Sequence, residues 1–267
     1  MSDDATTFLE RLGKAGDGPH DIALAALMLA SLDHPGLPLA PFRAHLNEIA
    51  DAMKQQAPMI ARVGDGAKAI GILLTTRLGY DGDRFNYADP KNADLIAVIE
   101  RRRGLPVSLG ILYMHAARAA GMTASGLGTQ SHFLVRLGHR HDDATIDPFN
   151  AGTVLEIGAP LPAALGDAHL AQPVPDTDVL LRLLNNLKMG ALERGKSGRA
   201  LEIAARMATI APRRAEVWFD LAKLNENAGV LGAARKAYER CLELTPAGDA
   251  LYNEAVLSLS QLKRRLN

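Results

Sequence analysis

Three polar residues in the first two thirds of the chain have side chains that could act together in acyl transfer. They are Ser108, His132 and Asp147. A serine hydroxyl becomes a nucleophile when a histidine accepts its proton, and a carboxylate can orient and stabilise that histidine. The three residues predict a nucleophile, base and orienting acid, provided that the fold brings them together.

The secondary structure predicted around these residues allows the three side chains to come together. A helix predicted over 106–120 starts with proline and ends before glycine, which puts Ser108 in its first turn. Strands are predicted over 132–137 and 144–149, with a polar turn at 138–143 between them. If these strands pair as an antiparallel hairpin, the histidine and the aspartate come side by side.

Helices are also predicted upstream of the hairpin, so the first part of the chain is expected to be an α+β domain with helices first and sheet second. Their predicted ranges are 21–31, 40–56, 67–78 and 92–103. We assign residues 1–166 to this domain. The proline-containing, non-periodic segment 167–177 is predicted to be a linker.

The C-terminal third repeats with a period of 34 residues, the period of tetratricopeptide helix pairs. Ala200 and Ala234 are separated by this distance, as are Pro212 and Pro246. The prolines separate consecutive units, because proline cannot continue a helix. Residues 178–267 are therefore predicted to form two repeats and a capping helix. The predicted helices are 178–194, 198–210, 214–228, 231–244 and 249–264.

Composition excludes several classes of protein. The chain has 267 residues, equal numbers of acidic and basic side chains, and one cysteine, Cys241. A disulfide framework or a thiolate zinc site needs more cysteines. Balanced charge gives no general attraction to nucleic acid or anionic lipid. The longest apolar stretch, 22–30, is too short to span a membrane, and we expect a soluble cytoplasmic protein.

The residues around the candidate site resemble a known family. The chain is similar to the transglutaminase-like core, and most of all to its bacterial SirB-type branch, in which tetratricopeptide repeats follow that core. The resemblance implies an α+β domain with a papain-like core, an all-α repeat domain and a regulatory role. It depends on Gly79-Tyr80, Asn86-Tyr87, Asp89-Pro90, Asn92, Arg101-Arg102-Arg103, the run from Gly104 to Tyr113, Ser131-His132-Phe133 and Ile146-Asp147-Pro148-Phe149-Asn150.

In the enzymes of this superfamily the catalytic set is Cys-His-Asp, and the resemblance maps it onto Ser108, His132 and Asp147. A helix N-terminus lowers the pKa of a thiol enough to form a thiolate, whereas a serine hydroxyl stays protonated there. We therefore favour a non-catalytic scaffold or regulatory protein, a pseudoenzyme that binds a protein or peptide partner in the repeat groove. The alternative is a Ser-His-Asp acyl hydrolase or amidase in the transglutaminase-like cleft.

Several residues also have structural interpretations. Ser108 could bond free N–H groups of the first helical turn, and His132 could be an ordinary strand histidine. Residues 139–143 contain two histidines and two aspartates, but we expect a solvated turn rather than a metal site. The arginines at 101–103 suit a helix end, and Tyr80, Tyr87 and Asn92 could line a cleft or fix a loop. We expect no cofactor, and the oligomeric state stays open.

Overall fold

The computed structural model describes residues 2–128, 132–155 and 172–266. Its α-helices are α1 (Ser2–Ala15), α2 (Ile22–Ser31), α3 (Ala40–Gln56), α4 (Val63–Gly71), α5 (Leu95–Arg101), α6 (Pro106–Ala119), α7 (Asp176–Glu193), α8 (Ser197–Ile210), α9 (Ala215–Asn227), α10 (Leu231–Leu244) and α11 (Ala250–Leu266). Its strands are β1 (Asp81–Gly82), β2 (Arg103–Gly104), β3 (Thr123–Gly128), β4 (Phe133–His139), β5 (Asp142–Asp147), β6 (Thr153–Leu155) and β7 (Pro173–Val174).

The chain divides into two compact units. The first unit contains Met1–Ala5 and Asp17–Leu183, and the second contains Thr6–Gly16 and Leu184–Asn267. The first unit is α+β and the described part of the second is helical. None of the helices in the described residues is long and apolar enough to cross a membrane.

An antiparallel sheet forms the centre of the first unit, with the strand order β6-β5-β4-β3-β7. Strand β4 lies in the middle, and Phe133, Leu134 and Val135 on it are almost completely buried. Helix α6 packs against β4 and β3. A Cβ atom at Gly110 of α6 would lie 2.4 Å from the Phe133 ring, and one at Gly126 of β3 would lie 2.7 Å from it. The absence of side chains at both glycines therefore leaves room for this ring between helix and sheet.

Helix α6 begins where the sequence predicts, because Pro106 supplies the fixed φ of a first helical turn and lacks the N–H that would be unpaired there. It ends before Gly121, whose φ of +77° favours glycine. Nearly all of its residues are buried, so α6 is a central helix rather than an amphipathic surface helix.

Short elements fix the position of the chain that leads into α6. Strands β1 and β2 pair in parallel, and the 3-10 turn Pro90–Ala93 precedes α5. The backbone N–H of Leu105 donates to the carbonyl of Asn92 over 3.1 Å. Arg102 adopts a left-handed conformation with φ 58° and ends α5, so the helix predicted over 92–103 is shorter than expected.

The hairpin also differs in detail from the prediction. Strands β4 and β5 pair as far as His139 and Asp142, which leaves a turn of two residues instead of 138–143. The polar residues at the strand ends resemble a turn in sequence, although pairing continues through them.

Strand β3 was not predicted, and the helix predicted over 67–78 is α4 followed by a π-helical segment, Ile72–Arg77. Of the predicted linker, 167–171 lie outside the described residues, while Pro173–Val174 pair with β3.

The second unit contains the predicted helix pairs, each within a few residues of its expected bounds. Gly195 and Gly229 end α7 and α9 with positive φ. Ala222, Ala234 and Cys241 are completely buried in the core of the second repeat. Burial also raises the pKa of the Cys241 thiol, so this residue is a packing element of the repeats.

Candidate functional site

Asp147 stands at the end of β5 and is 2% exposed. Its Oδ1 accepts hydrogen bonds from the backbone N–H groups of Phe149 and Asn150, at 3.0 and 3.3 Å. Its Oδ2 lies 2.6 Å from Nδ2 of Asn150 and 3.1 Å from Nε2 of His132. Groups of the turn after β5 thus hold the Asp147 carboxylate in place, and this carboxylate orients the imidazole of His132.

Two opposing effects act on the pKa of Asp147. Burial raises the pKa, but the hydrogen bonds from His132 and Asn150, together with the positive charge that His132 can carry, outweigh burial and hold the pKa below its ordinary value. Asp147 is therefore a carboxylate at neutral pH. It can stabilise a protonated His132, as the acid of a catalytic triad does.

Ser108 is completely buried in the first turn of α6. Its hydroxyl oxygen lies 2.7 Å from the carbonyl oxygen of Asn92 and 3.1 Å from that of Leu105, so its single proton is shared between these two acceptors. A Cβ atom at Gly104 would lie 2.6 Å from the same hydroxyl oxygen, so the hydroxyl is tightly enclosed. We expected Ser108 to bond N–H groups of the first helical turn. Its hydroxyl instead bonds carbonyls, and so fixes the turn at Pro90–Ala93 to the start of α6.

The geometry therefore joins two of the three sequence-predicted residues by a direct contact, His132 and Asp147. The proton of Ser108 is directed to backbone carbonyls, whereas a serine nucleophile must offer its proton to the base. In this arrangement the serine supports the backbone beside the site. Ser131, which belongs to the motif before His132, lies outside the described residues.

The ring of Phe149 lies against the histidine, a contact that the sequence did not reveal. The ring of Phe149 meets the rings of His132 and Tyr87 edge to face, with centroid distances of 6.5 and 5.9 Å. A Cβ atom at Gly82 would lie 2.5 Å from the Phe149 ring, so this ring covers β1 closely. The guanidinium of Arg84 lies 5.0 Å from the Phe149 ring centre and donates to the Phe149 carbonyl. Sequence reasoning had placed Phe149 in a strand, but it lies in the 3-10 turn Pro148–Asn150.

Arg182 is a second residue that sequence reasoning missed. Its guanidinium donates to the backbone carbonyl of His132 over 2.9 Å and lies 5.8 Å from the centre of the Phe133 ring. Burial lowers its pKa. Its sequence position on α7, far from the other site residues, gave no signal of this contact.

A partly buried ion-pair network fixes the loop beside the site. Arg101 donates to Asp83 over 3.0 Å and to Oδ1 of Asn92 over 3.1 Å, and Nδ2 of Asn92 donates to the carbonyl of Asn86. Backbone and side-chain donors, first among them the N–H of Asn86, hold the pKa of Asp83 below its ordinary value. Arg101 and Asn92 therefore have a structural role here, which supports the loop-fixing interpretation of Asn92.

Tyr80 belongs to a separate cluster with His45 and Arg102. Nε2 of His45 lies 2.9 Å from the Tyr80 hydroxyl, and the Arg102 guanidinium contacts both groups and covers the Tyr80 ring. Burial raises the pKa of Tyr80 to about 12. Burial and the charge of Arg102 lower the pKa of His45, so His45 is neutral and accepts a hydrogen bond from Arg102. This cluster connects α3 to the end of α5.

The acidic and histidine residues at 139–143 lie around the hairpin turn: His139 on β4 faces Asp142 on β5, and His141 is in the turn between them. Asp142 pairs with Arg62 over 3.4 Å, and Asp143 pairs with Arg136 over 3.7 Å. In the part of the chain that the structure describes, no three His, Cys, Asp or Glu side chains are grouped closely enough to hold a metal ion.

Comparisons with known proteins agree with this architecture. A family model described as the transglutaminase-like superfamily matches residues 40–185. The chain belongs to the transglutaminase-like superfamily. A second model, for tetratricopeptide repeats, matches residues 187–259. The predicted fold class is thereby confirmed: a transglutaminase-like domain followed by a helical repeat region.

Three relatives show how much of the chain is similar to known proteins. A UPF0162 protein of Xylella fastidiosa (strain 9a5c) is 28% identical over 233 residues, which cover 83% of each chain. A UPF0162 protein of Vibrio cholerae is 31% identical over 143 residues, 50% of this chain and 53% of the relative. Human F-box only protein 21 is 33% identical over 82 residues, which are 31% of this chain and 13% of that protein. The first of these relatives extends the similarity beyond the transglutaminase-like domain.

Proposed function

We propose that this protein is a non-catalytic scaffold or regulatory member of the superfamily, of the SirB-type branch, that binds a protein partner through residues 178–267. The observation that supports it is the Ser108 hydroxyl, which is completely buried and donates to two backbone carbonyls. A hydroxyl that is enclosed in this way directs its proton to the backbone and not to a catalytic base. Stacked helical repeats, in contrast, commonly provide extended binding surfaces.

Co-purification from the source cells with a tagged full-length chain tests this proposal. The Ser108→Ala variant should recover the same proteins as the wild type, in the same amounts. The Leu257→Asp variant should lose them, because Leu257 is 60% exposed on the capping helix α11 and can be changed without disturbing the core. Loss of the proteins in Ser108→Ala and their retention in Leu257→Asp would contradict the proposal.

A second candidate function is Ser-His-Asp acyl hydrolysis or amidolysis. The contact between His132 and an ionised Asp147 favours it, because this pair could remove a proton from a nucleophile. A fluorophosphonate probe distinguishes the two functions. The hydrolase requires labelling of the wild type that disappears in Ser108→Ala. The scaffold proposal expects no labelling of either protein.

A thiol at position 108 provides a sharper test of preorganisation. In Ser108→Cys, we expect iodoacetamide to alkylate the new thiol no faster than buried Cys241, because both sites are enclosed and carbonyl acceptors do not stabilise a thiolate. The wild type, whose single cysteine is Cys241, is the matched control. Alkylation much faster than that of an exposed cysteine would indicate a functional nucleophile position and would favour the hydrolase.

A further inference from the structure

We infer that a groove between α3 and α4, extended by the π-helical segment Ile72–Arg77, binds an acidic amphipathic helix of a protein partner. The inference goes beyond the proposed function, because all residues of this groove belong to the first unit and none to the repeats. It depends on exposed apolar side chains in a concave site, on a π-helical turn that aligns one of them with an arginine, and on two cations without an acidic partner.

The groove has an apolar lining. Its volume is about 310 Å³, and Met53 of α3 and Leu73 of the π-helical segment are buried within it. Met59 and Ile72 also line it, and they are 65% and 47% exposed although both are large apolar side chains. Apolar side chains that are exposed together commonly mark a surface where another protein binds. Methionine is well suited to such a surface, because its flexible side chain adapts to the shape of a partner.

The π-helical turn brings a cation next to the exposed isoleucine. In an α-helix, the residue five positions after Ile72 would lie about 140° further around the axis. Hydrogen bonds of a π-helix instead join residues five apart, as the Leu78 N–H and the Leu73 carbonyl do over 3.0 Å. This wider turn keeps Arg77 on the same side as Ile72, and both residues line the groove.

Two cations of the groove are available to a partner. Lys68 and Arg77 are exposed, and within the described residues neither side chain forms an ion pair or a hydrogen bond. Asp65 is the acidic residue of the lining, and its carboxylate accepts the backbone N–H of Arg62 over 2.9 Å. The groove therefore has an excess of positive charge, which carboxylates of a partner would complement.

The order of these side chains defines the partner. Lys68, Ile72 and Arg77 follow one another along one wall, so an apolar side chain lies between two cations. A groove between helices can accept a third helix through its apolar face. On that helix, carboxylates at positions i and i+7 lie on one face about 10.5 Å apart, within reach of the two long cationic side chains. An apolar residue at i+3 or i+4 then meets Ile72.

Subtractive selection from a random peptide library displayed on phage tests the inference. The library is first depleted on immobilised Ile72→Asp protein and then selected on the full-length wild type, which removes peptides that bind elsewhere on the chain. We expect the selected peptides to carry Asp or Glu at i and i+7 and an apolar residue at i+3 or i+4. Depletion on Met59→Asp should leave the same class of peptides. Both variants change exposed side chains, and their thermal unfolding is compared with that of the wild type.

Fluorescence anisotropy of a labelled selected peptide tests each side chain. Ile72→Asp should weaken binding by about tenfold or more, comparable with the loss of one buried apolar side chain. Lys68→Ala and Arg77→Ala should each weaken it by about two- to fivefold, as expected of a partly exposed ion pair, and less at high ionic strength. Lys91→Ala is the matched control, because Lys91 is also exposed but lies outside the groove, and binding should stay unchanged.

Charge reversal tests the choice of partner. Selection on the double variant Lys68→Glu and Arg77→Glu should favour basic instead of acidic residues at i and i+7. The inference would be overturned if no peptide were enriched after depletion, or if the enriched peptides lacked the acidic pair. Neither result would affect the proposed function, because binding through the repeats is tested by Leu257→Asp.

Discussion

At the scale of single residues, one hydrogen bond separates the two candidate functions. Asp147 and His132 form the orienting half of a catalytic arrangement. Ser108 instead gives its proton to the carbonyls of Asn92 and Leu105. The serine thus contributes to the fold at the position where an enzyme of the superfamily would have its nucleophile.

A change at Ser108 should therefore affect stability. Ser108→Ala removes the hydrogen bond to the Asn92 carbonyl, which keeps its bond from the Leu105 N–H. We expect a loss of about 0.5–1.5 kcal/mol in the free energy of unfolding, measured by urea denaturation. The exposed Ser260→Ala is the control and should change it by less than about 0.5 kcal/mol. An unchanged stability in Ser108→Ala would contradict the structural role.

The stability of the folded protein at acidic pH should depend on the ionisation of Asp147. Its pKa is lower in the folded protein, so its contribution is complete above the unfolded pKa of about 3.9 and is lost as pH falls through the folded value. The difference in unfolding free energy between wild type and Asp147→Asn should shrink as pH falls below about 5. Urea denaturation between pH 7 and 2.5 measures it. A difference that stays constant down to the lowest pH would show that the carboxylate is not stabilised by its partners.

At the scale of elements, the contact of α6 with β3 and β4 positions the site. Phe133 directly follows His132 and fills the space above Gly110 and Gly126. The position of this ring therefore fixes the start of β4 and with it the histidine. Sequence pattern predicted α6 and β4, but not β3, because its glycines and polar residues obscure the strand alternation.

Gly110→Ala tests this packing. Alanine favours a helix over glycine by about 1 kcal/mol, but its Cβ atom would lie 2.4 Å from the Phe133 ring, and overpacking typically costs about 1–3 kcal/mol. We expect net destabilisation in thermal unfolding, relieved in the double variant with Phe133→Leu. Gly64→Ala on α4 is the control and should stabilise, because nothing lies within 4 Å of the added atom. Equal stabilisation by both alanines would refute the packing argument.

At the scale of the whole molecule, two helices contribute residues to both compact units. Helix α1 has residues on each side of Ala5, and α7 has residues on each side of Leu183. Helix formation is cooperative along a continuous segment. The chain therefore passes from one unit to the other within α1 and within α7.

This continuity predicts a single unfolding transition. Trp218 is the only tryptophan of the chain and lies in the second unit, where its indole N–H donates to the Pro212 carbonyl over 3.0 Å. Its fluorescence reports the repeats, whereas circular dichroism at 222 nm reports the helices of both units. We expect both denaturation curves to have the same midpoint. Separate midpoints would show that the units unfold independently in spite of the shared helices.

The sequence by itself determined what depends on local periodicity. The 34-residue repeat, helix α6 and the strands that hold His132 and Asp147 follow from residue spacing, because helices and strands have fixed periods. Only the tertiary structure decided where the Ser108 proton points, that Arg182 binds the His132 carbonyl and that Phe149 covers Gly82. These contacts join residues far apart in the chain, and a side chain's partner depends on which atoms the packed elements place within hydrogen-bond distance.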